Sequence, residues 1–280
     1  MNTIIKVKCL KHIYPDKTEV DICGLDFIVN KGDRVVILGP NGTGKTTLLS
    51  HILGILKPVD GQISVFGVNP FKEFKHIRKK IGVVFQNVDE QIIGPTVYDD
   101  IAFSLRNAGM SKELVRDKVY DIAKTLEIED ILGKIPHYLS GGQKKKVALA
   151  GALSMSPELL IMDEPFDGLD PKSKKEMIEL INALNRDRGV TTIITTHDVN
   201  IVTYIADLIY IINKGRIVSS GDPEEIFKQS DVLKEANLEP PILIQLFDRL
   251  AKKGYNVNIP IDIDQAEEEI YRLINAQKCC

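Results

Sequence analysis

The sequence has no excess of basic residues, no long hydrophobic run and few cysteines, and each absence excludes a class of protein. Its 36 lysines and arginines are outnumbered by 39 aspartates and glutamates, which gives a formal net charge of -3. Nucleic-acid-binding proteins usually carry a basic excess, so nucleic acid is not expected as a partner. The longest apolar run, residues 208–212, is far shorter than the roughly 20 residues of a transmembrane helix.

The first residues of the chain and its cysteines indicate the cellular compartment of the protein. The first residues lack the charged-then-apolar pattern of a secretory signal, so we expect a cytosolic chain that reaches a membrane only through a partner. Cys9 and Cys23 lie in apolar segments and are expected to be small, buried, reduced side chains. A metal or redox site at Cys279 and Cys280 is disfavoured because they end the chain.

Predicted strands and helices alternate along most of the chain, which indicates a parallel sheet covered on both faces. A turn is expected at Asp60 and Gly61, before a strand. From about residue 96 to 153 apolar residues recur at three- and four-residue spacing, which predicts an inserted helical subdomain spanning about residues 88–156. Composition changes at Pro223, so we expect a main domain at 1–222 and a helical carboxyl-terminal appendage at 223–280.

Residues 39–46 fit the phosphate-binding (P-loop) pattern G-x-x-x-x-G-K-[ST] between a predicted strand and a predicted helix. The glycines allow backbone N–H groups to cradle phosphate oxygens, and the helix start adds a positive dipole end. Lys45 would bridge the β- and γ-phosphates, and the Thr46 hydroxyl would bind Mg²⁺. The sequence thus predicts ATP and Mg²⁺ as cofactors, with nucleotide contacts from Gly39, Pro40, Asn41, Gly42, Thr43, Gly44, Lys45, Thr46 and Thr47.

Two acidic residues, Asp163 and Glu164, follow the apolar segment 159–162. The carboxyl end of a strand is where open α/β sheets place their ligand chemistry. Asp163 is expected to orient Mg²⁺ or its water shell. Glu164 is expected to polarise the attacking water, a role worth roughly 10² to 10⁴ in rate.

Residues 139–143 read Leu-Ser-Gly-Gly-Gln, followed by three lysines. Ser140 can cap a helix whose first N–H groups are left bare by Gly141 and Gly142, which predicts a second anion site that also includes Gln143. We expect Lys145 and Lys146 to lie on a solvated helix face.

These three motifs, in this order, resemble those of the ABC ATPases. The resemblance implies an α/β P-loop NTPase with a mixed-sheet core, an antiparallel β subdomain, an inserted helical subdomain and a small helical appendage. It implies that Tyr14 stacks on adenine, that Gln86 touches Mg²⁺ or water, and that His197 contacts the γ-phosphate, so that Lys45, Gln86, Glu164 and His197 form the catalytic set. His12, His51, His76 and His137 match no motif and are expected to be structural.

In this family two chains pack head to tail, so that the P-loop of one faces Ser140 to Gln143 of the other. A homodimer is favoured over a heterodimer with a paralogous ATPase because this chain retains every catalytic element.

Three less specific segments, at residues 85–91, 96–103 and 238–247, resemble the ATPases of energy-coupling-factor transporters, particularly the cobalt and nickel branch. The sequence departs from that pattern at Val88, Phe166 and Lys146. This resemblance implies a transmembrane coupling subunit docked near residues 86–103, against Ile92, Ile93 and Phe103, and a separate membrane subunit that captures the cargo. It places the chain at the cytoplasmic face of the membrane.

Other interpretations of these motifs differ in the partner of the protein or in its chemistry. The ATPase of another ABC transporter class shares every motif. A soluble ABC protein acting on DNA or ribosomes is disfavoured, because residues 47–138 leave no room for a long coiled coil and the chain carries a single cassette. A regulator without hydrolysis would require loss of Glu164 or His197. The subfamily resemblance implies cobalt or nickel as the cargo, with vitamins as the alternative, and the appendage could strengthen dimerisation or regulate.

Overall fold

The computed structural model describes residues 2–278, so Cys279 and Cys280 lie outside the described residues. It contains two sheets joined by helices. The strands are β1 (Thr3–Ile13), β2 (Glu19–Ile22), β3 (Phe27–Asn30), β4 (Arg34–Leu38), β5 (Asp60–Val65), β6 (Ile81–Val84), β7 (Leu159–Asp163), β8 (Thr191–Thr196), β9 (Leu208–Asn213) and β10 (Arg216–Gly221). The helices are α1 (Lys45–Ile52), α2 (Pro70–Ile77), α3 (Val88–Gln91), α4 (Val97–Asn107), α5 (Lys112–Leu126), α6 (Gly141–Leu153), α7 (Pro171–Arg188), α8 (Val199–Ile205), α9 (Pro223–Phe227), α10 (Ser230–Glu235), α11 (Ile242–Lys252) and α12 (Ile263–Lys278).

The central sheet has the order β10-β9-β4-β8-β7-β6. Only β10 runs antiparallel to its neighbour, and the other pairings are parallel. Every residue of β7 and β8 is buried, as expected for strands covered by helices on both faces. The predicted α/β fold with a mixed-sheet core is confirmed, and the carboxyl ends of β4, β6, β7 and β8 lie at one edge.

The second sheet is antiparallel, with β1 pairing with β2, β3 and β5. The register of β1 on β5 shifts between Lys8 and Lys11, and Cys9 adopts a positive φ of 46° in this bulge. Asp60 and Gly61 belong to β5, so the predicted turn there is wrong. A Cβ at Gly61 would lie 2.2 Å from the Cys9 carbonyl oxygen, which explains why a glycine faces the bulge.

The expectation that Cys9 and Cys23 are buried, reduced side chains is also wrong. Leu10 of β1 pairs with Ile22 of β2, so Cys9, just before Leu10, faces Cys23, just after Ile22. The two cysteines form a disulfide with Cα atoms 4.1 Å apart. Cys9 is exposed and Cys23 half-buried, because the bulge turns this pair out of the core.

The segment between β6 and β7 is helical. Its helices α4, α5 and α6 pack through fully buried side chains that include Ile101, Leu105, Val119 and Val147. After β10 the chain is again helical, and Phe247 and Leu233 are completely buried. Both segments contribute to the same apolar cluster as the central sheet, so the division at residue 222 stays a prediction. Within residues 2–278, no helix is long and apolar enough to cross a membrane.

Candidate active site

The glycine-rich loop connects β4 to α1 at the carboxyl edge of the central sheet. Gly42 and Gly44 have positive φ values of 78° and 102°, a conformation that favours glycine. A Cβ at Gly39 would lie 2.4 Å from the Ile212 carbonyl oxygen. The loop can therefore wrap tightly only with glycine at these positions, which is the requirement for a phosphate cradle.

Lys45 is buried at the centre of this loop. Its Nζ donates hydrogen bonds to the carbonyl oxygens of Gly39, at 2.7 Å, and Pro40, at 3.2 Å. The same Nζ lies 3.2 Å from Glu164 Oε1. This ion pair lacks hydrogen-bond geometry, so Oε1 is a buried acceptor without a donor among the described residues.

A cavity of about 450 Å³ opens beside the loop. Its lining brings together side chains from four distant segments: Tyr14, Thr18, Val20, Asn41, Gly42, Gly44, Lys45, Thr46, Thr47, Gln86, Asp163 and Glu164. Most of the predicted nucleotide and metal contacts thus meet in one cavity, although they span residues 14–164 of the chain.

Tyr14 lines the cavity, and its hydroxyl is 2.8 Å from Thr47 Oγ1. Behind it, His12 packs edge-on at 4.5 Å and is followed by His51, and both histidines are buried. Burial lowers the pKa of His51, and the neighbouring His12 lowers it further. This packing gives His12 and His51 a structural place behind the tyrosine.

The hydroxyl and carboxylate predicted to hold Mg²⁺ are in direct contact. Thr46 Oγ1 donates to Asp163 Oδ2 at 2.9 Å, and the exposed Gln86 lines the same cavity. A hydroxyl, a carboxylate and an amide oxygen are oxygen donors of the kind that Mg²⁺ prefers. These residues therefore fit the ion that the motif implies.

Glu164 is buried and has a positive φ of 46°, which strains its backbone. Its Oε2 lies 3.1 Å from His197 Nδ1. Its backbone N–H donates to both the carbonyl oxygen and Oγ1 of Thr195, at 3.2 and 3.0 Å. The strained backbone and these contacts together fix the carboxylate beside the cavity.

Thr195 is a site residue that the sequence motifs did not reveal. Its hydroxyl accepts from Glu164 N and donates to Asp163 Oδ1, so it links the two acidic residues. The available signal was the set of four threonines in β8, all buried in a strand that could have been wholly apolar.

We expect Thr195→Val to lower the free energy of unfolding by about 1–3 kcal/mol, because Asp163 loses a buried donor. We also expect kcat for ATP hydrolysis to fall roughly tenfold, because a displaced base aligns poorly with water. Thr192→Val is the matched control, since Thr192 is equally buried and its Oγ1 has no hydrogen-bond partner among the described residues. Equal effects of the two substitutions on kcat would contradict the assigned link.

The signature residues, Ser140 to Gln143 at the start of α6, lie outside this cavity. Ser140 caps α6 in a capping box with Gln143, so the predicted helix start is present. None of Ser140, Gly141, Gly142 and Gln143 lines the cavity beside the P-loop, and three of them line a separate cavity of about 230 Å³. A single chain therefore does not unite its own two anion-binding helix starts.

The prediction of a solvated face for Lys145 is wrong. Its side chain is 7% exposed, and its Nζ donates to the carbonyl oxygens of Pro165, at 2.8 Å, and Asp167. Lys146 is half-buried and lies 3.1 Å from Glu176. The helix face that seemed polar in sequence packs against the loop after β7, whose inward-facing carbonyls need a donor.

Comparisons with known proteins agree with this site. The ABC transporter family model matches residues 22–167. The energy-coupling factor transporter ATP-binding protein EcfA of Methanococcus maripaludis is 41% identical over 98% of this chain and 99% of its own length.

Two solved structures extend the comparison. CbiO1 of Clostridium perfringens, part of the ABC transporter complex cbiONQ, is 35% identical over 90% of this chain and 100% of its own, with a TM-score of 0.76. The dimeric ATP-binding cassette MJ0796, in a post-hydrolysis state with ADP and phosphate, is 28% identical over 78% of this chain and 98% of its own, with a TM-score of 0.70. The chain belongs to the ABC transporter family as an ATP-binding, ATP-hydrolysing subunit, and it resembles the energy-coupling factor ATPases.

Proposed function

We propose that two copies of this chain close over Mg-ATP and drive an energy-coupling-factor importer. The observation that carries the proposal is that the signature residues Ser140 to Gln143 lie outside the cavity formed by the P-loop of the same chain. A second chain, placed head to tail, would supply them and complete each site. The dimeric state of the cassette MJ0796 supports this arrangement. A paralogous ATPase could take the place of the second copy.

Within each site, different residues of one chain would bind Mg²⁺, bind the nucleotide and activate the attacking water. Thr46, Asp163 and Gln86 would hold Mg²⁺, which when bound neutralises phosphate charge. Lys45 and the loop amides would bind the phosphates, and Tyr14 would stack on adenine. Oε1 of Glu164, which has no hydrogen-bond donor among the described residues, would accept a hydrogen bond, and then a proton, from the attacking water. His197, held at Nδ1 by Glu164, has its other ring nitrogen available for the γ-phosphate.

The surface near residues 86–103 would receive the transmembrane coupling subunit. Phe85, Ile93 and Phe103 expose large apolar side chains there, at 44%, 64% and 48%. Lys144 Nζ on α6 lies 2.6 Å from Asp89 Oδ1 on α3, so an ion pair connects this surface to the helix that begins with the signature residues. Docking would hold the chain at the cytoplasmic face of the membrane and would transmit closure of the dimer to the transporter.

We expect Phe103→Glu to abolish association with a coexpressed coupling subunit, because a charge replaces an apolar contact, and to leave the ATPase activity of the isolated chain within about twofold. Cosedimentation with membranes that contain the coupling subunit measures the association. Leu114→Glu is the control, since Leu114 is similarly exposed but lies on α5, outside residues 86–103. Retained association of Phe103→Glu would place the coupling subunit on another surface.

The proposed cargo is a cobalt or nickel ion, captured by a separate membrane subunit. Support comes from the residues at 85–91 and 96–103 and from the similarity to CbiO1. Uptake of radiolabelled Co²⁺ and Ni²⁺ by cells that express the complete set of subunits tests this, with Glu164→Gln as the inactive control. ATP-dependent uptake of a vitamin and of neither ion would overturn the cargo and leave the motor intact.

A further inference from the structure

The buried Lys145 connects two parts of the molecule that act on different nucleotides in the proposed dimer. It belongs to α6, the helix that begins with the signature residues. Its Nζ reaches the loop of residues 164–167, which carries Glu164, and donates to the carbonyl oxygens of Pro165 and Asp167. Among the described residues, no other donor reaches these two carbonyls.

Glu164 at the start of this loop is held by Thr195, His197 and Lys45, but the residues after it have fewer contacts. The internal hydrogen bond of the loop runs from Asp167 N to the Glu164 carbonyl oxygen at 3.3 Å, which is long. The positive φ of Glu164 is a strained conformation that persists only where surrounding contacts enforce it. Two hydrogen bonds from a buried ammonium, together with the buried Phe166, provide such contacts.

The charges around Lys145 fit a fixed structural cation. Burial lowers the pKa of Lys145, the carboxylates of Asp167 and Glu164 offset part of that shift, and the nearby Lys174 adds slightly to it. Asp167, Glu164 and His197 each bring a side-chain atom within 4.8 Å of the others, so two acidic groups cluster beside the ammonium. A neutral side chain at position 145 would leave these carboxylates and the two carbonyls without that cation.

We propose that Lys145 is a positioning residue that ties the signature helix to the loop bearing Glu164. In the dimer, α6 would close over the nucleotide of the partner chain, whereas Glu164 acts on the nucleotide of its own chain. Lys145 makes α6 and the loop of residues 164–167 move together. Contact of the signature residues with the partner's nucleotide therefore positions Glu164 at the nucleotide of its own chain. The proposal rests on the composite dimer of the proposed function.

The test compares Lys145→Met with Lys146→Met, which removes the neighbouring charge on the same helix. We expect kcat of Lys145→Met to fall roughly 10- to 100-fold, because small displacements of a catalytic group carry penalties of that size. KM for ATP and Kd for a fluorescent ATP analogue should stay within about threefold, because Lys145 does not line the nucleotide cavity. Lys145→Arg, which retains charge and donors, should restore most of kcat.

Three results would overturn the proposal. They are a kcat of Lys145→Met within about threefold of wild type, an equal loss in Lys146→Met, or a rise in Kd that matches the loss in kcat. If Lys145→Met does not fold, Lys145→Arg is compared with Lys145→Gln, since glutamine is shorter than lysine and carries no charge. The expected order of kcat is then Lys, Arg, Gln, and equal values would overturn the assignment.

Failure of the dimer is a distinguishable result. Glu164→Gln that binds Mg-ATP but stays a single chain in size-exclusion chromatography would overturn the composite site. In that case a low kcat of Lys145→Met with unchanged nucleotide affinity would retain the link within one chain, and the coupling between two chains would be lost.

Discussion

Replacing Glu164 with glutamine is expected to reduce steady-state ATP hydrolysis by roughly 10²- to 10⁴-fold, the contribution of a positioned general base. The amide preserves the size of the side chain, but its oxygen is a weak base. Oε1 accepts no hydrogen bond from the described residues, and Glu164 lines the cavity, so we assign the contact with the attacking water to this oxygen. A phosphate-release assay at saturating Mg-ATP measures the loss.

The matched control for this prediction lies at the other end of the same strand. Glu158 immediately precedes β7 and pairs with Lys31 and Lys80 on the surface, whereas Glu164 immediately follows it. Surface ion pairs contribute about 0–1 kcal/mol, so Glu158→Gln should fold normally and keep kcat within about twofold. Glu164→Gln that retains wild-type hydrolysis would remove Glu164 from the role of base.

Replacing Lys45 with methionine is expected to weaken ATP binding by roughly 10- to 100-fold, which corresponds to about 1.5–3 kcal/mol for hydrogen bonds made by a charged group. Methionine retains the apolar stem, so the loss reports on the ammonium. The buried carbonyl oxygen of Gly39 also loses its donor, whereas that of Pro40 keeps the Thr43 hydroxyl. We therefore expect a lower melting temperature as well as a higher Kd.

Titration with a fluorescent ATP analogue in the presence of Mg²⁺ measures the affinity of Lys45→Met. Lys31→Met serves as the control because Lys31 is exposed and pairs with Glu158 far from the loop. A Kd for Lys45→Met equal to that of wild type would show that the phosphates do not lie against this loop.

The P-loop and the pair Asp163 and Glu164 could be predicted from sequence because each is a contiguous motif at the end of a buried strand. Their local spacing fixes their geometry, and the structure places them in one cavity. Tyr14 and Gln86 converge from distant segments, so only the family resemblance could assign them to that cavity.

Thr195 and Lys145 could not be assigned in the same way. Thr195 acts on its neighbours across the parallel pairing of β7 with β8, a contact between residues far apart in the chain. The partners of Lys145 are backbone carbonyls, which no side-chain pattern encodes. The disulfide of Cys9 and Cys23 was missed for a related reason, because the bulge in β1 interrupts the alternation from which burial is predicted.

The most direct test of the composite site is the mass of Glu164→Gln in size-exclusion chromatography with light scattering, with and without Mg-ATP. Blocked hydrolysis should trap the closed state, so we expect a mass of one chain without nucleotide and of two chains with it. Glu164→Gln that remains a single chain at saturating Mg-ATP would contradict the claim that two copies of this protein share the nucleotide.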